Sequence, residues 1–185
     1  MKMQEDKKPQ LLWLDLEMTG LDSTKDQILE CAALLTDDTL TIRAKLESTV
    51  IHCDDATLDA MSDWCKKTHT DSGLLTEVCA SSLSVQELEQ TLIRFIDTYA
   101  AEKPLLCGNS IYQDRLFIAR YMPLFYSKLH YRMIDVSTVK ELIRRLYPQH
   151  PHAYYKKPEV HRAGPDITHA LTELKHYEQY FFHCV

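Results

Sequence analysis

Leu11-Leu-Trp-Leu-Asp-Leu-Glu-Met18 alternates with a period of two. Successive side chains of a strand point to opposite faces, so Leu12, Leu14 and Leu16 share one face and Trp13, Asp15 and Glu17 the other. A stretch this apolar reads as the central strand of a sheet. Two carboxylates on such a strand are costly to bury without compensation. A cation is the natural compensation, and an all-oxygen ligand set selects Mg²⁺ or Mn²⁺ over zinc. The alternative is an edge strand with a solvated acidic face, which the apolar opposite face argues against.

Outward from this strand, residues 28–36 and 40–46 read as two more strands separated by the Asp37-Asp38 turn, with 50–53 a candidate continuation of the third. Short turns between sequential strands suggest an antiparallel meander. Residues 57–80 read as short helices with polar joints. Ser84-Val-Gln-Glu87 has the form of a capping box, followed at helical spacing by Val85, Leu88, Leu92, Phe95, Ile96 and Tyr99. Pro104-Leu-Leu-Cys107 reads as a short buried strand ending at Gly108, residues 110–121 as a helix and 132–135 as a last strand. Val139, Leu142, Ile143 and Leu146 form the stripe of another helix, stopped by Pro148. The Pro-, His-, Tyr- and Lys-rich segment 148–160 reads as a loop. Ile167, Ala170, Leu171, Leu174, Tyr177 and Phe181 give a final amphipathic helix. The expectation is an α/β fold, a mixed five-stranded sheet flanked by helices. Residues 1–10 read as a flexible polar tail and 11–185 as a single domain.

The chain has 185 residues, 45% hydrophobic and 26% charged, so one soluble globular domain is the prior. Its net charge of −6 gives no strong attraction to a long polyanion, which argues against an enzyme tracking along long nucleic acid. Cys31, Cys53, Cys65, Cys79, Cys107 and Cys184 show no zinc spacing and read as reduced thiols of a reducing compartment. The N-terminus has neither a signal-peptide stretch nor the pattern of a transit peptide, and no run approaches the roughly 18 apolar residues of a membrane span. The expected setting is the cytoplasm, or the mitochondrion if a presequence has been removed, with no membrane association.

Two further segments carry chemistry. His161 and Asp166 are five residues apart, which on one helix separates them by roughly 140°. They converge only if His161 lies on the loop and Asp166 on the first helical turn. Gly164-Pro165 supports this, because proline is tolerated in a first turn. Asp114 is expected in the first turn of the helix after Gly108-Asn109-Ser110.

On these residues the chain resembles a known family. Trp13-Leu-Asp-Leu-Glu-Met-Thr-Gly-Leu21, Gly108-Asn-Ser110 with Gln113-Asp114, His130-Tyr-Arg132, Asp135-Val-Ser-Thr138 and His161-Arg-Ala with Asp166 are similar to the oligoribonucleases. These are DEDD-type 3′→5′ exoribonucleases of the histidine subgroup. Ser62-Asp-Trp-Cys65, Thr68-His-Thr70 and Ser72-Gly-Leu74 extend the likeness, which runs from about residue 10 to 182. The resemblance implies a ribonuclease-H-like fold, a single exonuclease domain and a homodimer. It implies two divalent cations, Mg²⁺ or Mn²⁺, held by Asp15, Glu17, Asp114 and Asp166, with His161 as general base. The implied substrates are short RNA oligonucleotides, dinucleotides above all, cut to 5′-mononucleotides. Leu21 would wedge between two bases and Trp64 stack on one. His69, Ser110, Arg132 and Ser137 would cap the 5′ phosphate, and Tyr131 would reach the partner's site. The family usually has a bulky aliphatic residue and an acid where this chain has Gly164-Pro165, which bears on the stiffness of the His161 loop.

Competing readings keep the fold and change the role: an exonuclease trimming longer single-stranded RNA or DNA, or a non-catalytic nucleotide-binding module. His150-Pro-His152 reads as a polar loop, His169 and His176 as a partly exposed stripe rather than ligands, and Arg144-Arg145 and Lys156-Lys157 as solvated charge.

Overall fold

The computed structural model describes residues 10–100, 102–156 and 161–182. Residues 1–9 of the expected tail, 157–160 of the expected loop and Cys184 lie outside them. Five strands form one sheet in the order β3-β2-β1-β4-β5: β1 Leu11–Met18, β2 Ile28–Thr36, β3 Ile42–Val50, β4 Leu105–Gly108 and β5 Met133–Asp135. β1 pairs antiparallel with β2, which pairs antiparallel with β3, whereas β4 runs parallel to both β1 and β5. This is the expected mixed sheet, with the acid-bearing strand at its centre.

The alternation of β1 divides the core as the sequence requires. Leu12, Leu14 and Leu16 join a cluster with Leu88, Leu92 and Phe95 of α4 (Val85–Tyr99), Phe117 and Ile118 of α5 (Tyr112–Tyr121) and Phe125 of α6 (Pro123–Ser127). Leu11 and Trp13 join the opposite cluster, with Ile143 of α7 (Val136–Leu146) and Ile167, Leu171 and Tyr177 of α8 (Ala163–Phe181). Trp13 is fully buried and its indole N–H donates to Thr36 Oγ1 at 3.0 Å. α1 (Asp55–Asp59), α2 (Asp63–Asp71) and α3 (Leu74–Ala80) carry a third, smaller cluster around Leu29, Leu58 and Leu74. The capping box that opens α4 is present, with Ser84 and Glu87 bonding each other's backbone.

Three departures from the sequence expectation have a physical cause in distant or loop contacts. β3 starts at Ile42, not 40, because the Asp37 carboxylate accepts the Thr39 and Thr41 amides and draws 37–41 into a loop with Leu40 at φ 59°. α5 starts at Tyr112, not 110, because Ser110 sits at φ 50° and its amide donates to Asp135 and Ser137. α6 was not expected. It starts with a proline at its N-terminal turn, and the buried Glu89 of α4 accepts the Leu124 and Phe125 amides at 2.7 and 3.1 Å. A cap supplied from 35 residues away leaves no local sequence signal.

Candidate active site

The parallel pairing of β1 with β4 ends at Trp13–Cys107, so the last part of β1 projects beyond its neighbour. A Cβ on Gly108 would lie 2.9 Å from the Leu14 carbonyl oxygen, so only glycine lets β4 end this close to β1. The chain then enters α5, and Asp114 in its first turn accepts the Leu16 amide at 2.8 Å. Asp114 thus occupies the place a longer β4 would have paired. It is buried, and burial pushes its carboxyl up to about 7, opposed by the Leu16 hydrogen bond.

On the other face, Asp15 lies opposite Ala32 and Glu17 opposite Glu30 in the β1–β2 ladder. α8 packs across these strands and brings Asp166, in its first turn, to them. Carboxylate oxygens of Asp15, Glu17 and Asp166 lie within 4.8 Å of one another. Burial, then the charges of Asp166, Glu30 and Asp114, push Glu17 up to about 8. Three crowded oxygen ligands, one of them holding its proton near neutral pH, are the donor set that fits a hard divalent cation. Asp114 is not among these three; it stands behind the strand at Leu16.

His161 precedes α8 on the loop, as the spacing to Asp166 demands, with its backbone at φ 52°. Its ring meets Trp64 edge-on at 5.8 Å between centroids. Leu21 and Trp64 are 72% and 65% exposed and line a groove of about 560 Å³ together with Thr19, Gly20 and Thr57. Ser110 and Ser137 meet, their hydroxyls 3.2 Å apart, at the start of α7. Tyr131 is 69% exposed, stacked on His130 with the Arg132 guanidinium 5.3 Å from its ring.

His69 is the most enclosed of the four residues implied for the phosphate cap. It is buried, its Nε2 lies 3.0 Å from the Met18 carbonyl, and its Nδ1 is 4.0 Å from Glu17 Oε2. A carbonyl only accepts, so Nε2 carries the proton. Burial lowers the ring's pKa, and a neutral ring then offers no donor at Nδ1. In this conformation His69 walls the acid cluster. His169, expected in an uninvolved stripe, lies with Nδ1 3.7 Å from Asp166 Oδ1. Sequence reasoning also passed over Glu30, fully buried and bonded to Arg162, which in turn bonds Glu77. A lone acid inside Ile28-Leu-Glu-Cys-Ala-Ala-Leu-Leu-Thr36 was the available signal, since a buried charge needs a partner.

The Exonuclease family model RNase_T matches residues 12–174. The chain is 46% identical over 175 residues to the human mitochondrial oligoribonuclease, covering 93% of this chain and 73% of that protein. It is 43% identical over 172 residues to the oligoribonuclease of Chromobacterium violaceum, covering 92% and 94%. The chain belongs to the oligoribonuclease family. Among solved structures, zinc-bound E. coli exonuclease I in complex with single-stranded DNA matches with a TM-score of 0.74 at 14% identity, over 95% of this chain and 41% of that one. Exonuclease I of Methylocaldum szegediense matches with a TM-score of 0.70 at 13% identity, over 92% and 40%. The oligoribonuclease chain therefore spans under half the length of these structural relatives, with which it shares the ribonuclease-H-like fold.

The raised carboxyls predict how stability depends on pH. Between about 4.5 and about 8, Glu17 is protonated in the folded metal-free chain and ionised in the unfolded chain. The folded state then binds more protons, so stability falls as pH rises through this window. Asp114, raised to about 7, acts in the same direction, while the single ring of His69, lowered by burial, acts against the two carboxyls. In chelator, Tm is expected to fall between pH 5 and pH 8, and Mg²⁺ to raise it more at pH 8 than at pH 5. Thermal melts at both pH values check this; a metal effect equal at both would refute the cluster as the source.

Proposed function

We propose that this protein is an oligoribonuclease that hydrolyses very short RNA, dinucleotides above all, from the 3′ end to 5′-mononucleotides. The observation that carries the reading is the convergence of Asp15, Glu17 and Asp166 at the end of the central strand, in a chain of this family. Residues 11–185 act as one exonuclease domain. Asp15, Glu17 and Asp166, with Asp114 assisting, would hold two divalent cations, Mg²⁺ or Mn²⁺, whose charge would favour attack of water on the phosphate and stabilise the leaving oxygen. His161 takes a proton from the attacking water as general base. The water oxygen bonds to phosphorus, the bond to the penultimate 3′ oxygen breaks, and the terminal nucleotide leaves as a 5′-monophosphate.

The other residues select length. Leu21 wedges between the bases and Trp64 stacks on one, a contact worth roughly 1–3 kcal/mol. His69, Ser110, Arg132 and Ser137 close the site on the 5′ phosphate, Arg132 by a charge-assisted hydrogen bond. The exposure of Tyr131 supports a homodimer in which it completes the partner's site. None of the described helices is long and apolar enough to cross a membrane. The proposed setting is the cytoplasm, or the mitochondrion where a presequence has been removed.

The test is digestion of a 5′-phosphorylated RNA dinucleotide beside a ten-nucleotide RNA, with Mg²⁺ or Mn²⁺ and with chelator. The dinucleotide is expected to turn over at least about tenfold faster, and chelator to stop both reactions. Equal rates would discard the cap; cleavage of neither, with metal bound, would favour a binding module. Tyr131→Ala is expected to lose about tenfold or more of turnover while remaining dimeric in sedimentation. Full activity in that dimer would refute the cross-subunit role.

A further inference from the structure

Arg162, between His161 and the first residue of α8, reaches two acids from different elements. Its Nε lies 3.2 and 3.1 Å from the two carboxylate oxygens of Glu30 on β2, and its Nη2 lies 3.0 Å from Oε1. Nη1 and Nη2 lie 2.8 and 2.9 Å from the two oxygens of Glu77 on α3. Glu30 Oε2 also accepts the Ala163 amide at 3.0 Å. One fully buried carboxylate therefore grips both the side chain of residue 162 and the backbone that opens α8. α8 has no cap from its own N-cap side chain, so this bond stands in for one.

His161 sits directly against this anchor in a left-handed conformation that a non-glycine residue keeps only when its surroundings enforce it. Residues 164 and 165 offer little side-chain purchase: a Cβ on Gly164 would come within 3.0 Å of Ser48 Oγ, and Pro165 is exposed. Arg162 ties this stretch to the sheet through Glu30 and to α3 through Glu77. A buried ion pair contributes little net stability, because desolvation offsets attraction. A planar fork bound at three nitrogens does impose direction.

We propose that Arg162 is a positioning residue for His161: gripped by Glu30 and Glu77, it fixes the loop conformation from which the imidazole meets the attacking water. This rests on the reading of His161 as general base. Removing Arg162 outright would strand the buried Glu30 and endanger folding. The test therefore uses Glu77→Ala, at the exposed end of the network, and Arg162→Lys, which keeps a cation but loses the fork. Each is assayed on a 5′-phosphorylated RNA dinucleotide with Mn²⁺, alone and combined with His161→Ala. Glu77→Ala is expected to lower kcat about threefold to tenfold and Arg162→Lys about tenfold to a hundredfold, with KM and the Mn²⁺-induced rise in Tm retained. In the His161→Ala background neither should lower kcat further, because the residue they act through is gone. Wild-type kcat in both folded single variants, with His161→Ala impaired, overturns the clamp alone. Equal losses with and without His161 also overturn it. Full activity of His161→Ala overturns the general-base reading and the clamp with it.

Discussion

Asp15→Asn is expected to lower dinucleotide turnover by about a thousandfold or more while the chain stays folded. Asparagine keeps the shape of the side chain opposite Ala32 but not its charge. One of three oxygens packed within 4.8 Å then loses the negative charge that binds a hard cation. The same change has a second signature. The carboxylate oxygens of Asp15, Glu17 and Asp166 are held within 4.8 Å of one another, so removing the Asp15 charge relieves crowding of like charges in the metal-free protein. Tm in chelator is therefore expected to rise in Asp15→Asn, and the increase on adding Mg²⁺ to shrink. Chromatographic turnover assays and paired thermal melts read both effects. Wild-type turnover in this variant would sink the metal assignment.

Replacing His161 is expected to lower kcat by about a hundredfold to ten-thousandfold, the range a positioned general base contributes. His161 belongs to no set of three cation ligands among the described residues, so the metal-induced shift in Tm should survive. The backbone at φ 52° makes the choice of variant matter. Alanine tolerates that region poorly, whereas asparagine adopts it more readily and cannot serve as a base. Loss of kcat in both His161→Ala and His161→Asn, with metal binding retained, assigns the effect to the imidazole. Recovery of activity in His161→Asn would instead show that loop shape is what the alanine variant lost.

The fold was readable in the chain because its strongest signals are local. The alternation of Leu11–Met18 sorted Leu12, Leu14 and Leu16 from Trp13, Asp15 and Glu17, and the two core clusters divide along that line. Ser84 and Glu87 announced α4, and the spacing of His161 to Asp166 required a loop followed by a first turn, which is where they lie. The elements that escaped have partners far away in sequence. α6 is five residues long and capped by Glu89, and α5 starts late because the Ser110 amide is taken by residues 25 and 27 positions on.

The candidate site divides in the same way. The sequence by itself marked the candidate groups: a strand carrying two acids on one face, a histidine placed before a helix-start carboxylate, and, through the family resemblance, Leu21 and Trp64. Only the tertiary structure decided how those groups sit. It crossed α8 over β1 and brought Asp166 to Asp15 and Glu17, and it put Asp114 on the Leu16 amide 98 residues away. It buried His69 against Met18 and Glu17, and it joined Arg162 to Glu30 across 132 residues and to Glu77 across 85. The physical reason is that periodicity fixes which face a side chain takes within its own element. Which distant element comes to lie against that face depends on how the whole sheet and its helices pack, and no short window of sequence carries that information.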